Sequence, residues 1–175
     1  MSFWKWVLVG VGVWELGWWL RGKTDRRVLF AKARRTADAK GKPLLVIGEP
    51  MGEYPCGDVT ADLAPTSRCP AYVQADVQNL EIFPDGKFGC AFASHVLEHV
   101  GDPDKAMAEL LRVADEVVIA WPRPWRAATW LVPGHRWIVV EDATVPGGLR
   151  FDPHPVLNRR PAHATRYGTA WGRLS

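Results

Sequence analysis

Phe88 to Pro122 reads FGCAFASHVLEHVGDPDKAMAELLRVADEVVIAWP. FGCAFAS (88–94) and EVVIAWP (116–122) are short β-type runs, each closing on polar or turn residues. Between them, PDKAMAELLRVA (103–114) places Ala106, Leu110, Leu111, Val113 and Ala114 at helical spacing, and Pro103 suits a helix start. Further short runs lie upstream: Leu44 to Ile47 ending at Gly48, VTADL (59–63) and AYVQAD (71–76). Strands followed by strand–helix–strand predict a parallel α/β sheet.

Within the opening stretch, His95-Val96-Leu97-Glu98-His99 fits the H-x-x-E-H spacing of one class of zinc proteases. Such a site needs both histidines on one helix face and a third ligand elsewhere. Here the motif follows the small and apolar strand Gly89–Ala93, so no metal is expected, and neither His95 nor His99 is expected to be a ligand.

Residues 74–122 resemble the middle of a class I S-adenosylmethionine-dependent methyltransferase, especially the broad type 11 group. The resemblance rests on Ala75-Asp76, then Ile82-Phe83-Pro84-Asp85-Gly86-Lys87-Phe88-Gly89 for the family's "LPF-pDgsFD", Leu97-Glu98-His99 for its "LEH", an Asp-Pro, and a helix ending in Arg112-Val113. VTADL matches the family's second strand, and GHRWIVV (134–140) is similar to some small members. The resemblance implies a reduced Rossmann-like sheet that binds S-adenosylmethionine beyond the carboxyl ends of its strands. It implies that Gly48 and Gly52 serve the loop after the first strand, that Asp62 takes the ribose hydroxyls, and that Asp76 lies near the adenine. Glu98 and His99 are the candidates beside donor and acceptor, as loop-capping or catalytic residues.

The first strand departs from the family. Val46 stands where an acidic residue is usual, Pro50 where a second glycine is usual, and Glu49 adds negative charge where the cofactor's carboxylate would sit. Proline removes an N–H and fixes φ. Only ten residues separate Gly48 from Val59, too few for the usual crossover helix. Weak or absent cofactor binding is the expectation.

Outward from this core, FWKWVLVGVGVWELGWWL (3–20) is apolar except for Lys5 and Glu15. As a helix its 18 residues would rise about 27 Å against a bilayer core of roughly 30 Å. Tryptophans at both ends form the aromatic-belt pattern, so a single transmembrane helix is expected over 1–22. Gly10 and Gly17 share a face where a partner helix could approach, and Glu15 either lies near the headgroups or meets a donor on a neighbouring membrane protein. Residues 21–42 carry nine Lys/Arg against Asp25 and Asp38, a net +7, next to an acidic body. A basic helical linker over 23–42, lying against anionic lipid or an acidic partner, follows, with residues beyond the span in the cytoplasm of a single-pass membrane protein.

The methyltransferase-like domain is bounded at 43–143, and 144–175 is expected to be an irregular Arg/Pro/Gly-rich tail. Its Arg159, Arg160, Arg166 and Trp171 are candidate partner contacts, because arginine and aromatic residues are enriched at interfaces. The localised basic block argues against a nucleic-acid-binding protein. Three cysteines without a C-x-x-C (Cys56, Cys69, Cys90) suggest a reduced chain without disulfides. Two functions follow. One is a non-catalytic, membrane-anchored accessory subunit that contacts membrane lipids and other membrane-protein subunits. The other is a membrane-bound methyltransferase acting on a hydrophobic small molecule or lipid.

Overall fold

The computed structural model describes residues 3–65, 67–142 and 149–156. Its elements are α1 (Phe3–Ala39), β1 (Leu44–Ile47), β2 (Val59–Asp62), β3 (Tyr72–Gln74), β4 (Cys90–Ser94), α2 (Pro103–Val113), β5 (Val117–Ala120), α3 (Ala127–Leu131), β6 (Trp137–Glu141) and β7 (Leu149–Pro153). The first five strands form one parallel sheet in the order β3-β2-β1-β4-β5. Every residue of β1, β4 and β5 is buried, as expected of central parallel strands covered on both faces. The order reverses between β1 and β4, which opens a crevice at their carboxyl ends.

The helix α2 is specified locally. The Asp102 side chain accepts from the N–H groups of Asp104 and Lys105, Pro103 fills the first turn, and Ala106, Met107, Leu110 and Val113 face the core. Arg112 then bridges Glu109, Asp85 and the carbonyls of Phe83 and Leu80, which clamps the loop before β4 onto the helix.

The opposite face of the sheet is covered by α1. The expectation for this stretch was a spanning segment followed by a basic helical linker lying against anionic lipid or an acidic partner. The helix is continuous through residue 22. Leu29, Phe30, Ala33 and Ala37 are buried in one cluster with Leu44, Val46, Phe92 and Val118. Alanines 33 and 37 permit close approach, since a Cβ on Gly89 would lie 2.9 Å from Ala37 Cα. No helix joins β1 to β2, so the long N-terminal helix supplies the layer that a crossover helix would otherwise provide. The basic block finds its acidic partner on its own body: Arg26 with Glu53, Arg34 with Asp58, Lys40 with Glu116, and Lys42 with Asp115.

No helix among the described residues is long and apolar enough to cross a membrane. Glu15, expected in the span, is held by the body: its carboxylate lies 3.1 Å from the Arg126 guanidinium and accepts from the Ala127 N–H. Trp18 packs edge-on against Trp125. The first half of α1 nonetheless leaves Val9, Val13, Trp14 and Leu16 exposed.

Two further expectations are corrected. Cys56 and Cys69 form a disulfide, so the chain is not fully reduced, and Cys90 is the free, buried cysteine. The missed signal was spatial: 13 residues separate the pair in sequence, but the parallel β1–β2–β3 pairing brings their Cα atoms to 5.6 Å. Beyond Val140, β7 pairs antiparallel with β6 inside the stretch expected to be irregular. Phe151 and Leu149 are buried against the main core, so the hairpin belongs to the domain. Arg159, Arg160, Arg166 and Trp171 lie outside the described residues.

Candidate functional site

A cavity of about 870 Å³ lies at the carboxyl ends of β1 to β4. That is within the usual size range of small-molecule sites, roughly 300–1,000 Å³. Gly48, Asp62 and Asp76, expected from sequence, all stand on its wall, as does His99. Gly52 does not; it occupies the turn beyond, at φ +76°, while its neighbours Met51 and Glu53 line the cavity.

Gly48 leaves β1 at φ +89°, and a Cβ there would sit 3.0 Å from Val96 Cγ2. Only glycine meets both demands easily. Asp62, at the end of β2, accepts from the Glu49 N–H at 2.9 Å and from the Ala64 N–H at 3.1 Å, one on each oxygen. A carboxylate has about four acceptor positions, so both oxygens can still receive a hydroxyl. The Glu49 amide that binds Asp62 is the last N–H before Pro50, so the proline costs the loop no contact in this arrangement. The Glu49 carboxylate itself receives the Ser67 hydroxyl. Asp76 is pinned by Gln78, which donates to it from backbone and side chain, while Gln78 Oε1 accepts from the Asp102 N–H at the head of α2.

Residues that sequence reading missed complete the wall. Arg26 reaches in from α1; it donates to Glu53 at 2.8 Å and to His95 Nε2 at 3.0 Å. No local pattern marks it out among nine basic residues; only the packing of α1 selects it. Tyr54 stacks on Phe30 and meets Phe92 edge-on, and burial pushes its phenol up to about 12, so it stays neutral. His95 adopts φ +56°, a left-handed conformation uncommon outside glycine, at the point where β4 opens into the cavity.

A second, smaller recess of about 170 Å³ adjoins the first. Trp18, Trp19 and Trp121 line it, and it shares Arg26 and His95 with the larger cavity. Glu98, a sequence candidate, lies beneath the wall and is fully buried. Gly10, Glu15 and Gly17 line neither cavity; the two glycines are on the exposed first half of α1, where an added Cβ would meet open space.

The family model described as a methyltransferase domain matches residues 54–116, from the loop after β1 to the residue before β5. A methyltransferase domain is therefore present, in a Rossmann-like α/β fold with a parallel five-stranded sheet. Its family generally binds S-adenosylmethionine. No curated protein and no solved structure gives a significant match to the chain.

Proposed function

We propose that this protein is an S-adenosylmethionine-dependent methyltransferase acting on a hydrophobic, aromatic-type small molecule. The observation that carries the reading is the joint placement of Gly48, Asp62 and Asp76 on one cavity at the switch point of a parallel sheet. The donor set fits the cofactor. Asp62 would accept the ribose hydroxyls, the wall around Asp76 and Val77 would take the adenine, and Gly48 would let the backbone approach the methionine part. Arg26, which shares the wall with Arg136, would face the amino-acid carboxylate, offset by Glu53. The bound cofactor supplies a methyl group on a good leaving group, so alignment of the acceptor does most of the remaining work. The tryptophan-lined recess beside His95 offers an apolar seat for such an acceptor.

The test is calorimetric titration of the full chain with S-adenosylmethionine and S-adenosylhomocysteine. The expected result is micromolar binding, reduced at least about tenfold by Asp62→Asn, which removes charge without volume. An absence of heat at millimolar ligand would refute the reading and return the chain to the class of non-catalytic methyltransferase-like subunits.

That second class has its own supporting observation, the exposed Val9, Val13, Trp14 and Leu16 on the first half of α1. Docking of this half, through its Gly10 and Gly17 face, to a membrane surface or a membrane-protein subunit is compatible with catalysis elsewhere on the chain. Stoichiometric co-purification in mild detergent, lost on Gly10→Leu or Gly17→Leu, would support it; monomeric behaviour in detergent-free buffer would count against it.

A further inference from the structure

The H-x-x-E-H spacing of residues 95–99 divides its two histidines between different tasks. His95 faces Glu98 from one side. Arginine only donates, so the Arg26 contact makes His95 Nε2 an acceptor, and His95 Nδ1–H then donates to Glu98 Oε1 at 3.1 Å. Glu98 is 1% exposed, and its second oxygen, Oε2, is buried without a hydrogen-bond partner. A buried carboxylate oxygen with no partner is costly, and such an atom calls for a counter-charge.

His99 and His135 also stand close to Glu98. One ligand atom from each of Glu98, His99 and His135 lies within 4.8 Å of the other two. The imidazoles are 4.7 Å apart between ring centroids. Both have their Nδ1 on a backbone carbonyl, His99 on Gly134 O and His135 on Thr129 O, each at 3.0 Å. A carbonyl only accepts, so both Nδ1 atoms carry the proton and both Nε2 atoms carry the lone pair. This is the outer arrangement that holds ligating histidines in a metal-ready tautomer. The backbone is built to match: the N–H groups of Arg136 and Trp137 donate to Glu98 O, which ties the His135 segment to the Glu98 loop.

We propose that Glu98, His99 and His135 bind a first-row divalent ion, zinc above all. Two neutral imidazoles and one carboxylate are a zinc donor set that leaves a fourth position open. His99 is on the cavity wall, so the open position adjoins the cavity. Bonds of about 2.0–2.2 Å place zinc ligands about 3.5 Å apart, so the cluster closes by roughly an ångström on loading. The expectation that no metal binds weighed the H-x-x-E-H stretch alone; in the proposed site the third ligand is His135, beyond that stretch, and His95 supports Glu98 instead of ligating. The proposal stands independently of cofactor binding, which is measured separately on metal-stripped protein.

The test is cobalt(II) titration of the metal-stripped full chain, read by visible ligand-field absorption, followed by displacement with zinc. One cobalt per chain with tetrahedral-type bands is expected. His99→Ala, at an exposed position where the fold tolerates truncation, should lose the bands, and so should His135→Ala. His95→Ala should keep the stoichiometry and weaken affinity about 10–100-fold, as for loss of an outer partner. Should His135→Ala fail to fold by circular dichroism, Glu98→Gln takes its place. Bands that persist undiminished in His99→Ala, or a stripped chain that takes up neither cobalt nor zinc at stoichiometric concentration, would overturn the proposal.

Discussion

Replacing Gly48 by alanine perturbs two things that the structure keeps separate. The backbone sits at φ +89°, and an L-residue held there costs about 1–3 kcal/mol. The new Cβ also lies 3.0 Å from Val96 Cγ2, so Val96 must leave its rotamer well, at about 0.5–1.5 kcal/mol. The sum is about 1.5–4.5 kcal/mol, and in a chain of this size each kcal/mol lowers Tm by about 2–4 °C. Urea denaturation followed by circular dichroism measures it, with Val96→Ala and the double variant closing a cycle. In the Val96→Ala background the steric part should vanish and the backbone part remain. Cofactor binding should fall in Gly48→Ala and not recover in the double variant, because the loop after β1 has moved. A cost below about 0.5 kcal/mol for Gly48→Ala would refute the assignment of this loop as a glycine-dependent approach to ligand.

Thiol titration should find no reactive thiol in the native chain, one after denaturation, and three after denaturation with reductant, because Cys56–Cys69 is bonded and burial raises the Cys90 thiol to about 12. Three native or denatured thiols without reductant would mean the disulfide is not formed; its reduction should cost roughly 3 kcal/mol for a loop of this length. Acid should destabilise the fold below the ordinary carboxylate range. The Leu44 N–H and Arg34 hold Asp58 low, and Arg112 holds Glu109 low. Groups depressed in the folded state contribute fully above their unfolded pKa and lose that contribution as pH falls through the folded one. Denaturation midpoints should therefore be flat above about pH 5 and drop beneath about pH 4, less steeply in Asp58→Asn. Gly89→Ala should destabilise by more than about 1 kcal/mol, since its Cβ would press on the Ala37 backbone; a neutral effect in thermal melts would mean that α1 does not pack on the sheet.

The elements whose signal is local were legible in the chain. Leu44–Ile47 was read as a strand to the residue, because a run of four buried apolar residues closing on glycine has few alternatives. The helix Pro103–Val113 was legible from Pro103 and the helical spacing of its apolar residues, while the Asp102 cap emerged only in the structure. Of the site, Gly48, Asp62 and Asp76 were singled out by the resemblance to methyltransferases, and the fold puts them on one cavity because strand ends in a parallel sheet converge on one crevice.

Interactions between distant segments were decided only by the tertiary structure. Sequence alone presented 3–20 as an apolar span, because hydropathy counts residues and not neighbours; the fold instead holds Glu15 against Arg126, 111 residues away. The basic run 21–42 looked like a surface for lipid because its acidic partners lie far along the chain, Glu53 and Asp58 in the β1–β2 loop and Asp115 and Glu116 in the connection from α2 to β5. Cys56 and Cys69 became a pair once β2 and β3 aligned in parallel. His135 joined Glu98 and His99 only because the Arg136 and Trp137 amides bind the Glu98 carbonyl. Periodicity and capping act within a turn or a strand and are therefore written in the order of residues. Charge pairing, disulfide geometry and ligand clusters depend on distances that exist only after the chain has closed its long loops.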